Sequence, residues 1–260
     1  MMGRGAPTPF IVFTNSRSGS AWLIDTLASH PAIAAHGELF HPNERGVPTY
    51  GTADVPYFQT YLESARGRGR PAQVYHLFRY LSKLYSGGHR LGAVGFKLQY
   101  VQAWAHPGMW QYFALKRVRV VHLSRANMLD ALLSYQSAKV RRQFHPRRGE
   151  SIPEVTMRVK ADDLYARLEE REQRLSRSRS RVERFRLANL EVVYEDLVGS
   201  RAEMLSRVLG FLGIEPDPRP LDSAFVRINT RPKAELVENL DELRTQLAGT
   251  RFEWMLGDAA

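Results

Sequence analysis

Five short apolar runs alternate with helical patterns along this chain, and this alternation constrains the fold more than any other feature. The runs lie near 10–14, 33–35, 93–98, 118–123 and 190–193, and turn residues bound each of them. Strands that alternate with helices favour a mostly parallel sheet covered by helices on both faces. We therefore expect an α/β fold with one central sheet.

Helical patterns fill the intervals between the apolar runs. They are predicted at 20–29, 56–66, 73–86, 127–140, 161–185, 202–212 and 233–248. No internal repeat is present, and the sheet pattern resumes after each interval, so 1–260 is expected to form a single domain. Within it we expect a helical insert at about 53–90, a basic flexible region at about 141–153, a long arginine-rich helix at about 161–186, and a second flexible segment at the Ser/Arg repeat 176–180.

The chain carries an excess of positive charge. It has 37 Lys and Arg against 27 Asp and Glu, a formal net charge of +10, so it should attract anions. Arginines cluster in three places: Arg66, Arg68 and Arg70; Arg141, Arg142, Arg147 and Arg148; and 167–186. One interpretation is a module that binds nucleic acid or another polyanion. The other is a solvated helix face, because glutamates alternate with the arginines of 167–186 at helical spacing.

Neither a membrane segment nor a disulfide framework is indicated. The longest apolar runs, such as FIVF and RVLGFLGI, are far shorter than the roughly 18 residues of a spanning helix. The apolar stretch near the N-terminus has the length of a strand, not of a secretory signal. Cysteine is absent, which excludes disulfides and thiolate metal sites. We predict a cytoplasmic protein without a membrane span.

The segment PFIVFTNSRSGSAWLIDTL combines a strand, a small polar loop and a helix that begins near Ser20. Unpaired N–H groups and the positive end of the helix dipole favour an anion at such a position. Gly19 permits close approach of the backbone, Ser18 and Ser20 offer hydroxyl donors, and Arg17 offers a positive charge. A phosphate site is predicted; a serine-rich turn that only caps the helix is the alternative.

The loop departs from the pattern of nucleotide hydrolases and kinases, GxxxxGK followed by Ser or Thr. Thr14 stands at the position of the first glycine, and Ser20 at that of the lysine. The later strand RVRVVHLSR lacks a terminal aspartate that would help to hold magnesium. These differences disfavour magnesium-dependent phosphoryl transfer and leave a kinase with an atypical loop as the alternative function.

TNSRSGSAW resembles the 5'-phosphosulfate loop of sulfotransferases that use 3'-phosphoadenosine 5'-phosphosulfate (PAPS), in the bacterial and carbohydrate-type branch. The resemblance implies a P-loop-like sulfotransferase fold. It also implies that Arg17 contacts the 5'-phosphate and the sulfuryl oxygens, that Trp22 stacks on adenine, and that further donors come from Ser18, Gly19, Ser20 and Ala21. The position of Trp22 on the first predicted helix supports a second interpretation equally well, in which Trp22 is an aromatic residue of the core.

A second stretch, VRVVHLSRANMLDALLSYQSA, resembles the 3'-phosphate motif of the same family. There an arginine at a strand end and a serine on the next helix bind the 3'-phosphate, which assigns these roles to Arg125 and Ser134. Their separation differs by one residue from that of the cytosolic enzymes, but Asn127 and Leu129 match the bacterial variant. Read without the family, both are ordinary surface and helix residues.

Two later stretches extend the resemblance. LEVVYEDLVGSRAEMLSRVLGFLGIEP is similar to a scaffold segment of the family, to which we assign no chemistry. FVRINTRPKAELVENLDEL is similar to the basic segment that folds over the donor. It implies that Arg227, Arg231 or Lys233 reaches the 3'-phosphate, with Arg227 the first choice.

Transfer of a sulfuryl group requires a base that takes the proton of the acceptor hydroxyl. Cationic side chains can stabilise the transition state of this transfer without a metal. The resemblance assigns the base to Glu38 in AAHGELFHP, with His36 as the alternative. Burial would raise the pKa of this carboxyl, whereas Arg17 nearby would lower it. His36 and His41 are otherwise interpreted as simple strand-end histidines, and no metal site is expected because no partner cluster is present.

Lys97, in GFKLQY, ends a predicted strand, where ligands of open α/β sheets bind. It is a candidate for binding the sulfuryl group or the acceptor, or else a structural lysine. The expected acceptor is a hydroxyl of a carbohydrate or small molecule. Aromatic residues of the insert would stack on such an acceptor or form core: Tyr57, Phe58, Tyr61, Tyr75, Phe78, Tyr80 and Tyr85. No specific nucleic-acid partner is expected, and a homo-oligomer remains an open alternative.

Overall fold

The central sheet has five parallel strands in the order β2-β3-β1-β4-β5. A computed structural model describes residues 6–42, 50–52, 55–65, 69–87 and 91–257. The strands are β1 (Thr8–Thr14), β2 (Ile33–His36), β3 (Ala93–Gln99), β4 (Arg119–Ser124) and β5 (Asn189–Val193). The predicted α/β fold with one parallel sheet is confirmed, and each apolar run coincides with a strand to within two residues at each end.

Helices cover both faces of this sheet. They are α1 (Ser20–Ala28), α2 (Phe58–Ser64), α3 (Arg70–Tyr85), α4 (Tyr100–Ala105), α5 (Met109–Leu115), α6 (Met128–Arg141), α7 (Leu164–Arg184), α8 (Tyr194–Gly199), α9 (Arg201–Leu212), α10 (Lys233–Leu236) and α11 (Leu240–Leu247). In the segments that the structure describes, no helix has the length and apolar composition of a membrane span.

The central strand β1 is buried on both faces. Ile11 and Phe13 belong to the core under α3 and α5, whereas Phe10 and Val12 belong to the core under α1 and α9. Alternate residues of a strand point to opposite faces, so a run such as FIVF supplies both cores at once. This burial fixes β1 at the centre and places the loop that follows it in the middle of one sheet edge.

The prediction of one continuous helix at 233–248 is wrong, because two helices form there, α10 and α11. The chain leaves the helical conformation at Val237 (φ −116, ψ 113), where a parallel bridge joins it to Met157. The pattern did not predict α4, α5 and α8. The short length of these helices, 6, 7 and 6 residues, gives them little periodicity.

The prediction of a flexible segment at 176–180 is also wrong. The Ser/Arg repeat continues α7, in which Leu164, Leu168, Ser178 and Val182 form the buried face. Within the predicted insert, α2 and α3 form, while Arg66 and Arg68 lie outside the described residues. The basic segment 141–153 forms hydrogen bonds with the rest of the chain, including Arg148 N–H to the Ala224 carbonyl (2.7 Å), and its flexibility stays a prediction.

Candidate active site

The carboxyl ends of β1, β3 and β4 open onto one cleft of about 1110 Å³. Ligands of open α/β sheets bind at this edge. The loop after β1, the start of α6 and segments 142–146 and 225–233 complete its walls. This volume exceeds the range for a single small ligand, roughly 300–1000 Å³, so the cleft has room for two reactants.

The loop after β1 presents the start of α1 to the cleft. Gly19 adopts a left-handed conformation (φ 78) and no side chain caps the helix. Within the described part of the chain, the N–H groups of Ser20, Ala21 and Trp22 have no acceptor. These three residues line the cleft, and their N–H groups can bind an anion. Ser18 is 2% exposed, and its hydroxyl donates to the Asn15 carbonyl (3.2 Å), inside the loop.

Replacing Gly19 with alanine is expected to destabilise the protein by about 1–3 kcal/mol, because a positive φ strains any L side chain. A Cβ at this position would also lie 2.5 Å from Cδ2 of Tyr194. Urea unfolding measures the change. The control is Gly210→Ala in α9, where a Cβ meets no atom within 4 Å; it should stabilise the helix by about 0.5–1 kcal/mol. Equal effects of the two changes would contradict the prediction.

Arg17 joins three walls of the cleft. Its Nε and Nη2 donate to Ser134 Oγ on α6 (3.0 and 2.9 Å), and its Nη1 donates to the Phe144 carbonyl (2.7 Å). Burial and the nearby charge of Arg125 lower the pKa of Arg17 to about 10. Arg17 is therefore still a cation at neutral pH, and Ser134 lies directly beside it.

Arg125 lies at the end of β4 between two carboxylates. Its Nη2 is 3.2 Å from Asp130 Oδ2, and its buried Nε, which has no hydrogen-bond partner among the described residues, is 3.8 Å from Glu195 Oε1. The other oxygen of Asp130 is 2.9 Å from Nζ of Lys233. One carboxylate thus brings Arg125 and Lys233 together at the wall of the cleft, where an anion would meet two cations.

The stretch YEDL, read from sequence as scaffold only, positions the second motif. The ring of Tyr194 lies under the Arg125 guanidinium, 4.7 Å from its centroid. The two oxygens of Glu195 accept from the N–H groups of Ala126 (3.0 Å) and Asn127 (3.1 Å), before the first turn of α6. Asn127 in turn caps α6 by accepting from Asp130 N–H. These contacts fix the direction of the Arg125 side chain.

The remaining candidates for donor binding also line the cleft. Trp22 is half-buried, and the Arg201 guanidinium lies 4.8 Å from its ring centroid. Arg227 is exposed, whereas Arg231 forms ion pairs with Glu154 (3.4 Å) and Glu235 (2.8 Å). The structure thus brings all three tail cations to the cleft.

Glu38 lies at the bottom of the cleft and is 6% exposed. Its Oε1 accepts from Lys97 Nζ (2.6 Å) and from the Tyr50 hydroxyl (3.5 Å). Its Oε2 accepts from the side-chain amides of Gln99 (2.6 Å) and Gln102 (2.9 Å). A carboxylate accepts about four hydrogen bonds, so every acceptor position of Glu38 is occupied.

The charge state of Glu38 follows from these contacts. Burial alone would raise its pKa, but the charge and hydrogen bond of Lys97, with His41 and Gln102, lower the pKa below its ordinary value. The group is therefore an ionised, fully hydrogen-bonded partner of Lys97 at neutral pH. To accept a proton it would have to release one of its four donors.

The three histidines near the cleft differ in position. His36 is 4% exposed, its Nδ1 lies 2.8 Å from the Thr52 carbonyl, and it does not line the cleft. His41 lines the cleft beside Glu38. His145 also lines it, and sequence reasoning missed this residue because a basic segment rich in Arg and Pro was interpreted as a flexible loop.

Sequence reasoning also missed Gln99, Asp130 and Tyr194. For Gln99 a signal was present, since it lies two residues after Lys97 in a strand and therefore on the same face. Asp130 lies four positions before Ser134 on α6, so its position on the cleft side was readable from helical spacing. No local signal indicates that Tyr194 lies under Arg125.

No family model matches the chain. It is 27% identical to "Nodulation protein H" of Rhizobium tropici over 256 residues, which cover 94% of this chain and 91% of that protein. It is 26% identical to "Nodulation protein H" of Rhizobium meliloti, covering 93% and 92%.

Two solved structures are similar over 97% of the chain. One is a sulfotransferase from Alicyclobacillus acidocaldarius (16% identical, 96% of that chain covered, TM-score 0.48). The other is the sulfotransferase domain of the olefin synthase of Synechococcus PCC 7002 (18% identical, 82% covered, TM-score 0.46). Both of these solved structures are sulfotransferases, the family that the two phosphate motifs resemble.

Proposed function

We propose that the protein transfers a sulfuryl group from PAPS to a hydroxyl of a carbohydrate or small molecule, without a divalent metal. The observation that carries the proposal is the convergence of both phosphate motifs on one cleft, where Arg17 contacts Ser134 of the second motif directly. A nucleotide with phosphate at both ends requires two anion sites on one cleft.

The residues of the cleft fit such a donor. The N–H groups at the start of α1, which have no acceptor within the described ranges, would bind the 5'-phosphate and the sulfuryl oxygens together with Arg17. Arg125, whose buried Nε lacks a hydrogen-bond partner in the part of the chain that the structure describes, would bind the 3'-phosphate with Lys233 beside it and with Arg227 or Arg231 from the same segment. Trp22 would stack on adenine. When bound, the donor supplies the sulfuryl group.

The acceptor side of the cleft contains Lys97 and an aromatic rim. Lys97, held by Glu38 at 2.6 Å, points one positive charge at the cleft, where it would stabilise the transferred sulfuryl oxygens. Tyr135 and Phe144 are 41% and 39% exposed, with ring centroids 6.0 Å apart, and both line the cleft. Exposed aromatic rings suit a sugar or an apolar alcohol.

Donor binding tests the proposal first. We expect 3'-phosphoadenosine 5'-phosphate (PAP) to raise the melting temperature in the presence of EDTA. Its 5'-phosphate would meet Arg17, and its 3'-phosphate would meet Arg125 and Lys233. ATP lacks a 3'-phosphate and should stabilise the protein poorly. Equal or greater stabilisation by Mg-ATP would instead support the kinase with an atypical loop.

Transfer is then measured with labelled PAPS against a series of sugars and small alcohols. Labelled product that forms in EDTA is the expected result. A polyanion-binding module would show no transfer, and its affinity for polyanions would fall steeply with salt. The cytoplasmic location and the oligomeric state stay predictions from the sequence.

A further inference from the structure

His145 occupies a place in the cleft that the family motifs do not assign. It follows α6 in the segment 142–146, and its ring lies between those of Tyr50 (centroids 5.6 Å apart) and Phe225 (5.7 Å). Its imidazole is half-buried, and among the described residues neither ring nitrogen has a hydrogen-bond partner. An unpaired imidazole that faces a cleft is chemically available to a ligand.

Tyr50 connects His145 to the pair at the bottom of the cleft. The Tyr50 ring is 5.6 Å from the ring of His145 and 5.7 Å from Lys97 Nζ, and its hydroxyl donates to Glu38. Arg17 fixes the segment from the other side, because its Nη1 donates to the carbonyl of Phe144, the residue just before His145. The residue predicted to bind the transferred group therefore also positions this histidine.

Burial, together with two nearby cations, keeps His145 neutral. Burial lowers its pKa, and Lys97 from β3 and Arg17 from the loop after β1 lower it further, whereas Glu38 from the end of β2 raises it; the result is a pKa of about 4. At neutral pH the imidazole is a proton acceptor. An anionic donor bound to Arg17 and Lys97 would offset both cations and return the pKa toward its ordinary value.

We propose that His145 is the general base of the transfer, and that Glu38 is a positioning residue that holds Lys97. This inference rests on the proposed function. The acceptor oxygen forms the new bond to sulfur, and its proton passes to an imidazole nitrogen of His145. The bond from sulfur to the bridging oxygen breaks, and its electron pair stays on the 5'-phosphate of the leaving nucleotide. Glu38 is less suited to this step, because all its acceptor positions are filled.

His145→Ala tests the inference with PAPS and a hydroxyl acceptor. We expect turnover to fall by about 10²-fold or more, with the stabilisation by PAP retained. Added imidazole should restore part of the turnover of this variant, because it can occupy the space of the deleted ring. The acid limb of the kcat profile should disappear in the variant. In the wild type, the acid limb of the kcat profile should lie at higher pH than the acid limb of kcat/KM for PAPS, because kcat/KM for PAPS reports the donor-free enzyme.

The matched control is His106→Ala. His106 also has a pKa lowered by burial, and it lies between the rings of Phe40 (5.1 Å) and Phe58 (5.2 Å), but it does not line the cleft. Its loss should leave kcat and the acid limb unchanged at a temperature where the variant is folded.

Three results would count against the inference. Turnover of His145→Ala within about threefold of wild type would overturn it. So would a loss that imidazole does not rescue and that leaves the acid limb in place. If PAP fails to stabilise the wild type, the proposed function fails and the inference fails with it. Stabilisation by PAP together with either of the first two results overturns the inference alone.

Discussion

Arg17→Ala is expected to lower turnover by about 10³-fold and to abolish most of the stabilisation by PAP. Removing one preorganised donor to a developing anionic charge costs about 10²–10³ in kcat, and Arg17 offers several charge-assisted donors. The change also removes three hydrogen bonds, two to Ser134 and one to Phe144. The segment 142–146, which contains His145, then loses its hydrogen bond to Arg17. Turnover with PAPS and the PAP-induced shift in melting temperature measure the two effects.

The control for Arg17 is Arg117→Ala. Both arginines have a positive φ, 65 at Arg17 and 50 at Arg117, so both substitutions place alanine in the same strained region. Arg117 is exposed and does not line the cleft. Its replacement should leave turnover and PAP binding unchanged. Arg17→Lys keeps the charge but not the forked geometry and should fall between wild type and alanine. Normal PAP stabilisation of Arg17→Ala would remove this residue from the donor site.

Glu38→Gln is expected to lower turnover by about 10²-fold or more while PAP binding stays nearly intact. Glutamine keeps the shape of the side chain but leaves Lys97, which is 4% exposed, without its anionic partner. Removing one member of a buried ion pair costs about 3–5 kcal/mol, because the other charge stays buried. PAP binding is expected to persist, because Glu38 forms its hydrogen bonds with Tyr50, Lys97, Gln99 and Gln102 and not with the phosphate motifs.

The shape of the pH profile of Glu38→Gln separates a base from a positioning residue. If Glu38 holds Lys97 while His145 accepts the proton, the residual activity keeps its acid limb. If Glu38 is the base, as the family resemblance implies, the limb disappears. Glu191→Gln is the control: this carboxylate pairs with buried His122 (2.7 Å) outside the cleft, so its loss should affect stability and not turnover. Unchanged turnover of Glu38→Gln would remove Glu38 from both roles.

Apolar patterning predicted the sheet well because a strand buried on both faces reads as a continuous apolar run. β1 to β5 lie where the runs at 10–14, 33–35, 93–98, 118–123 and 190–193 indicate, within two residues at each end. The same reasoning failed for the tail helix and for the Ser/Arg repeat. The tail helix is interrupted at a bridge to Met157, which is distant in sequence, and the Ser/Arg repeat lies in a helix whose buried face includes Ser178.

For the site, the sequence by itself determined the anion loop, because a strand, a glycine and a helix start are local features and their geometry follows from adjacent residues. It also named Arg125 and Ser134, through the resemblance of the second motif to the 3'-phosphate motif of sulfotransferases. Only the tertiary structure decided how the motifs meet. Ser134 lies against Arg17, and Arg125 shares Asp130 with Lys233. His145 lines the cleft and packs against Tyr50, whose ring and hydroxyl contact Lys97 and Glu38. Such contacts join residues from 5 to more than 100 positions apart, and only packing around the sheet brings them within a few ångströms of each other.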